Sequence, residues 1–227
     1  MGNTFNAFNQ LTDTLIGGAT TLTSTYADTG NTERLTAGAT SFTNGTLGLT
    51  TQTTSGTPTG YIRDPSGTLV AMRTAGQSYY YTPDAQGSVI ALTDRTQALA
   101  ASYTYDAWGN TTSTGALAAT NPWTYATGYS DAATGYLKLG ARYYNPTTGR
   151  FTQPDPSSQE TNTYNYASCD PVNSSDPTGL ASCDTQPAFV MGLTLTAALL
   201  LAPVTMGESA IIFTGFAIAV YTTDETC

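Results

Sequence analysis

The chain has 227 residues and a mass of 23.7 kDa, and its 16 acidic against 7 basic side chains leave a net charge of −9, with charged residues only 10% of the total. With one lysine, Lys138, and no histidine, it lacks the cations for a counterion-releasing grip on nucleic acid, and it excludes Ser–His and Cys–His nucleophiles, histidine-ligated zinc and imidazole switches. Three cysteines (Cys169, Cys183, Cys227) are too few for a disulfide scaffold or a four-cysteine metal site, whereas threonine at roughly a fifth of all residues, with plentiful Gly, Asn and Tyr, is a β-rich composition full of turn formers.

Met1 to Asn9 has neither a basic n-region nor an apolar h-region, so it does not read as a signal peptide; either export uses another route or, the expectation here, this is the C-terminal piece of a longer exported polypeptide. Residues 1–57 hold 18 threonines, no proline and four charges, Asp13, Asp28, Glu33 and Arg34. Asn44-Gly45 between short alternating runs predicts a hairpin turn, because both central turn positions favour positive φ. A disordered threonine-rich linker is the alternative for this zone.

Residues 58–180 contain 13 of the 15 tyrosines, nine of the eleven prolines and six of the seven basic residues. Strand-like runs at 69–72, 78–81, 88–92 and 99–105 alternate with the steps Asp64-Pro-Ser-Gly67, Asp84-Ala-Gln-Gly87 and Asp106-Ala-Trp-Gly109. Asp at the first turn position accepts from backbone two residues on, and Gly takes the left-handed exit. Tyr61, Tyr81 and Tyr103 each stand three residues before their Asp, and the units repeat at 20 and then 22 residues. That period predicts a winding antiparallel sheet built hairpin by hairpin. Tyr143, Tyr144, Tyr164, Tyr166, Trp108 and Trp123 are expected to pack the core rather than to bind a ligand.

From Thr185 to Thr223 the only charge is Glu208. Pro187–Gly207 and Ser209–Thr223 predict two apolar helices broken near Pro203 and Gly207, with residues 187–223 directed either to a membrane or against the β-core. No basic residue flanks either run to orient it. No nuclease, deaminase, phosphate-loop or calcium-loop pattern is present, and no cofactor or metal is expected.

The Tyr-x-x-Asp-x-x-Gly units resemble YD repeats. Gly128-Tyr-Ser-Asp-Ala-Ala-Thr-Gly-Tyr136, Ala141-Arg-Tyr-Tyr-Asn-Pro-Thr-Thr-Gly-Arg-Phe-Thr-Gln-Pro-Asp-Pro156, Asn162-Thr-Tyr-Asn-Tyr166 and Asp170-Pro-Val-Asn-Ser-Ser-Asp-Pro-Thr-Gly-Leu180 resemble the Rhs-repeat-associated core of bacterial polymorphic toxins and insecticidal toxin complexes. The resemblance divides the chain into a degenerate threonine-rich repeat region (1–57), the core (58–180) and a variable apolar segment (181–227). It departs from the usual pattern at Asp170, where Asn is usual, and at Asn145, where Asp is usual.

This resemblance implies a mainly β fold and a secreted or cell-surface location. The core's partner would be its own C-terminal segment, with an immunity protein that the sequence does not specify and no nucleic acid. It also implies a single-turnover aspartyl autoprotease that cuts between Leu180 and Ala181, with Asp155, Asp176 and Arg142 at the matching catalytic positions. Two carboxyls sharing a site can supply both base and acid, and an arginine can keep one of them ionised. Cys169 and Cys183 flank Leu180, where a disulfide would tether the two sides; isolated thiols are the expected state. The competing reading is a non-catalytic cell-surface wall or adhesive module, in which each Asp is only a turn former.

Overall fold

Twelve strands follow one another in a single antiparallel sheet whose spatial order is the chain order. The computed structural model describes residues 1–158 and 162–184. The strands are β1 (Gly2–Phe5), β2 (Leu11–Ile16), β3 (Ala19–Tyr26), β4 (Arg34–Ala37), β5 (Thr40–Gly45), β6 (Gly48–Thr54), β7 (Thr57–Arg63), β8 (Leu69–Thr74), β9 (Gln77–Pro83), β10 (Val89–Asp94), β11 (Leu99–Tyr105) and β12 (Thr111–Thr114). A second antiparallel sheet contains β13 (Tyr129–Asp131), β14 (Tyr136–Leu139), β15 (Arg142–Asn145) and β16 (Arg150–Phe151), and a two-stranded ribbon pairs β17 (Ser174–Ser175) with β18 (Cys183–Asp184).

The threonine-rich first zone forms strands, not a linker. In β3, Leu22 and Ser24 point inward while Thr21, Thr23 and Thr25 stay exposed, the period of two that a one-sided sheet demands. The outward hydroxyls bond across strands: Thr25 to Thr36 at 2.7 Å, Thr40 to Thr54 at 2.9 Å. Such pairs do the work that cross-strand ion pairs do in more highly charged sheets. The sheet runs through the compositional change at residues 57–58 within β7. The hairpin expected at Asn44-Gly45 closes two residues later, since Gly45 pairs with Gly48 across Thr46 and Leu47. A register shift after Thr43 leaves Thr50 of the facing strand β6 unpaired, and Gly48, at φ +97°, supplies the left-handed position instead.

All three Asp-x-x-Gly steps form the same turn. Asp84 Oδ1 accepts from the backbone N–H groups of Gln86 and Ser88 at 2.9 and 2.8 Å, and Gly87 lies at φ +80°. Asp64 and Asp106 repeat the arrangement. A fourth copy has no glycine: Asp94 accepts from Thr96 and Ala98, and Gln97 occupies the left-handed position at φ +68°. Left-handed backbone costs a side-chain-bearing residue about 1–2 kcal/mol, partly offset by the greater chain entropy that glycine loses. Gln97→Gly is therefore expected to stabilise the fold by about 0.5–1 kcal/mol. Its urea midpoint should rise, and a fall would show that Gln97 makes a contact worth more than the strain.

The repeated tyrosines explain why the units stack. Tyr61, Tyr81 and Tyr103 are buried with Leu69, Met72, Val89, Leu92 and Trp123. Asn121 ties two of them together, accepting from the Tyr81 hydroxyl at 2.8 Å and donating to the Tyr103 oxygen at 3.1 Å, while Trp123 meets Tyr61 edge-on. The second sheet packs on this same face: Tyr129 sits edge-on to Phe42 and donates to Gln52 Oε1 at 2.8 Å. Arg34 of β4 bonds both Asp131 of β13 (2.6 Å) and the Tyr143 hydroxyl of β15 (2.7 Å) in a buried cluster. All four residues of β14 are buried, as expected for a strand covered on both faces.

Residues 152–158 and 162–180 are loop-rich; Asp155 N–H is bonded to Thr163 O at 2.7 Å within the loop, and Gln86 Nε2 to Pro171 O at 3.0 Å ties it to the sheet. Tyr143, Tyr144 and Tyr166 are fully buried, as the sequence led us to expect. Trp108 and Tyr164 are not: both lie at the surface, Trp108 over Gly149 and Tyr164 against the Arg150 guanidinium. Trp108 faces outward because Tyr103 of the same unit already fills the inward site. The two apolar helices expected over 187–223 lie outside the described residues. Among the described residues no helix is long and apolar enough to cross a membrane.

Candidate functional site

Arg142 opens β15, between β14 and β16, and is only 1% exposed. A buried guanidinium must spend its donors on fixed acceptors, and this one does so through each of its nitrogens. Nε donates to Gly179 O at 2.6 Å, Nη1 to Thr163 O at 3.1 Å, and Nη2 to Asp176 Oδ2 at 2.9 Å. Its plane lies 3.6 Å from the Phe151 ring centroid, a stacked position that a lysine would not occupy in the same way.

Asp176 is fully buried. Its second oxygen, Oδ1, accepts from Thr178 Oγ1 at 3.1 Å and from the backbone N–H of Leu180 at 3.2 Å. Burial pushes its carboxyl up, and the Arg142 charge and the bonds from Thr178 and Leu180 pull against that push. The perturbation therefore comes first from desolvation.

Asp155 is also buried, at 4% exposure. Ser157 N–H donates to its Oδ1 at 2.8 Å, and Ser157 Oγ stands 2.8 Å from each carboxylate oxygen. The same Oγ lies 2.9 Å from Leu180 O. The three residues proposed from sequence thus meet at Leu180. Asp176 takes its N–H, Arg142 holds the carbonyl before it, and Asp155 reaches its carbonyl through Ser157. Leu180 itself is at the surface and Ala181 is half-buried.

The 176–180 turn reaches this position because it lies on the β14–β15 hairpin without side chains between them. Ala141 N–H donates to Thr178 O at 2.8 Å. A Cβ on Gly140 would stand 1.9 Å from Thr178 O, and one on Gly179 2.4 Å from Leu139 O. Both glycines have positive φ, +42° and +65°. Lys138, one turn of the hairpin away, donates to Gly140 O and to Asn31 O, and burial pushes its ammonium down to about 7. Cys169 is an exposed thiol. Among the described residues no three Cys, Asp or Glu side chains converge to hold a metal.

Sequence reasoning missed Ser157, Thr163 and Thr178. Asp155-Pro156-Ser157 has the form of an Asp-led turn with its hydroxyl two residues on, as in Asp64-Pro65-Ser66, so the local bond was legible; the reach to Leu180 was not.

Residues 50–172 match the profile of the Teneurin YD-shell family. The tRNA3(Ser)-specific nuclease WapA of Bacillus spizizenii is 39% identical over 127 residues, which is 52% of this chain and 5% of that protein. The tRNA nuclease WapA of Bacillus subtilis is 38% identical over 127 residues, with the same coverage. The crystal structure of TcdB2-TccC3 superposes with a TM-score of 0.60 at 19% identity, over 78% of this chain and 10% of that one. The Photorhabdus luminescens Tc holotoxin pore gives 0.55 at 19% identity, with the same coverage. The chain thus spans 5% of the curated relatives and 10% of the solved chains it matches. With a profile match over more than half its length, a sheet wound in chain order, and repeated tyrosines and Asp-led turns that build it, the chain belongs to the Teneurin YD-shell family.

Proposed function

We propose that the chain is the C-terminal core of an Rhs/YD-repeat toxin-delivery protein, secreted or displayed at the cell surface, and that it cleaves its own Leu180–Ala181 bond. One observation carries the reading: Arg142 and Asp176, from a strand and a loop, bond Gly179 O and Leu180 N–H, and Asp155, from a second loop, is linked to Leu180 O through Ser157. A turn-forming aspartate has no need to be buried, and the three in Asp-x-x-Gly steps at 64, 84 and 106 are not.

Peptide hydrolysis without histidine or metal needs a base for water and an acid for the carbonyl oxygen. Asp176 suits the base. Arg142 favours its ionised form in the resting site, while burial makes it a stronger proton acceptor than a solvated carboxylate. Asp155 suits the acid, since it is the carboxyl on the carbonyl side of Leu180. Holding the bond in place replaces substrate affinity, so the reaction runs once per chain. The released partner would be residues 181–227, which carry no nuclease pattern; the nuclease activity in the relatives' names is not assigned to this chain.

Mass measurement of the purified chain tests this directly. Two fragments divided at Leu180–Ala181 are expected, and Asp155→Asn or Asp176→Asn should leave a single full-length species, since Asn keeps the shape but cannot exchange the proton. A wild-type chain that stays intact would leave the non-catalytic wall as the reading. Fragments that persist in both variants would remove the two aspartates from the chemistry.

A further inference from the structure

We propose that Ser157 is a catalytic residue: its hydroxyl touches the scissile carbonyl and carries the proton of Asp155 to the Leu180 oxygen. The proposal rests on the autoproteolytic reading above and adds a group that the matching motif does not supply.

Among its contacts Ser157 Oγ has Asp155 Oδ1 and Oδ2 at 2.8 Å and Leu180 O at 2.9 Å. A hydroxyl has one proton to give and two lone pairs to receive with. When Asp155 is ionised, the proton goes to the carboxylate, and oxygen then faces the Leu180 carbonyl without a donor between them. When Asp155 is protonated, its acid proton points to Ser157 Oγ and the serine proton points to Leu180 O. Only this second state polarises the carbonyl, so the serine couples the protonation of Asp155 to the electrophilicity of the bond.

The position of the hydroxyl is fixed from several directions. Ser157 N–H is bonded to Asp155 Oδ1 at 2.8 Å, and Pro156 restricts the backbone between them. Asp155 N–H is bonded to Thr163 O at 2.7 Å, and the same carbonyl accepts from Arg142 Nη1. The guanidinium that holds Asp176 and Gly179 therefore also anchors the loop that carries the acid.

The step balances as follows. Water oxygen bonds to the Leu180 carbonyl carbon and gives one proton to the Asp176 carboxylate. The carbonyl π pair moves onto oxygen, which takes the Ser157 proton as Ser157 takes that of Asp155. The tetrahedral carbon now bears two hydroxyls, Asp155 is ionised and Asp176 is protonated. On collapse the C–N bond breaks, Asp176 returns its proton to the Ala181 nitrogen, and one hydroxyl proton returns through Ser157 to Asp155. The products are a Leu180 carboxylic acid and an Ala181 amine, with all three side chains restored.

The experiment follows cleavage of the full-length chain over time after a pulse of cell-free synthesis. Ser157→Ala is expected to slow fragment appearance by about 10²–10³-fold, the usual loss of one oxyanion donor. Ser157→Thr, which keeps the hydroxyl, should stay within about tenfold of wild type, a loss of no more than ~1.4 kcal/mol. A merely structural role is read separately, from the urea midpoints of the same substitutions in the uncleavable Asp176→Asn chain; these should match that parent. If the alanine variant unfolds there, Ser157→Cys replaces it, keeping the shape with a weak donor, and the same slowing is expected. Cleavage at the wild-type rate in the alanine or cysteine variant, while Asp155→Asn blocks it, would overturn the serine and leave the aspartates standing. A Leu180 hydroxamate formed with hydroxylamine would overturn it in favour of a serine ester. An intact wild-type chain would instead overturn the underlying reading.

Discussion

Arg142→Ala is expected to destabilise the fold by about 3–5 kcal/mol, the cost of breaking a buried pair and leaving its partner uncompensated. Asp176, with no exposed surface, would lose the cation bonded to it, and Gly179 O and Thr163 O would each lose a donor. The deficit should depend on pH with a definite sign. Burial already raises the Asp176 carboxyl above its unfolded value, and removing Arg142 raises it further. A carboxyl raised in the folded state binds its proton more tightly there than in the unfolded chain, so stability falls as pH rises from the unfolded value through the folded one. The variant should therefore lie closer to its parent near pH 5 than near pH 8. Urea unfolding at both pH values, in an Asp155→Asn background so that every chain is intact, measures it. An equal deficit at the two pH values would mean that Asp176 is not the group left stranded.

Gly140→Ala should have the second large effect, about 2–4 kcal/mol, combining left-handed strain with overpacking. At φ +42° the new methyl would meet Thr178 O at 1.9 Å and Thr178 Cα at 2.7 Å, and both belong to backbone that cannot rotate aside. The 176–180 turn would have to lift from the hairpin, breaking the bond from Ala141 N–H to Thr178 O. A shift near 1 Å at a reacting bond costs about 10²-fold in rate, so self-cleavage should slow by that order. Gly135→Ala is the internal control. Its φ of +74° carries the same strain, but nothing lies within 4 Å of the added carbon. It should destabilise by about 0.5–1 kcal/mol and leave processing at the wild-type rate. Equal effects of the two substitutions would remove the close approach from the account.

The sheet was legible because its rules are local. An Asp whose side chain caps the backbone two and four residues on, and a glycine at the left-handed exit, specify a turn within five residues; the tyrosine before each one marks the inward face. Where a local rule failed, a neighbouring residue had substituted. Gln97 takes a glycine's place after Asp94, and Gly48 takes the left-handed position expected of Asn44-Gly45, so that the turn falls at Thr46 and Leu47. The site was legible only through resemblance. No spacing rule brings Thr163 O to Arg142 or Ser157 Oγ to Leu180 O, because those contacts depend on how a loop of some thirty residues lies against β15. The buried cluster of Arg34, Asp131 and Tyr143 was invisible for the same reason, its members coming from β4, β13 and β15.

Strand order that equals chain order also acts as a clock. On a growing chain each hairpin can close on the one made just before it, and all twelve strands of the large sheet precede Tyr129 in the chain. Arg142 follows, then Asp155, then Asp176, and Leu180 arrives after every group that engages it. The backbone that cradles Leu180 cannot exist until β14 and β15 have paired and the turn has settled on Gly140. A nascent or misfolded chain holds the aspartates, the arginine and the leucine in its sequence, but not in one place. Assembly of the fold is thus a built-in checkpoint, and under the proposed self-cleavage the condition of the bond after Leu180 would record whether a molecule has passed it.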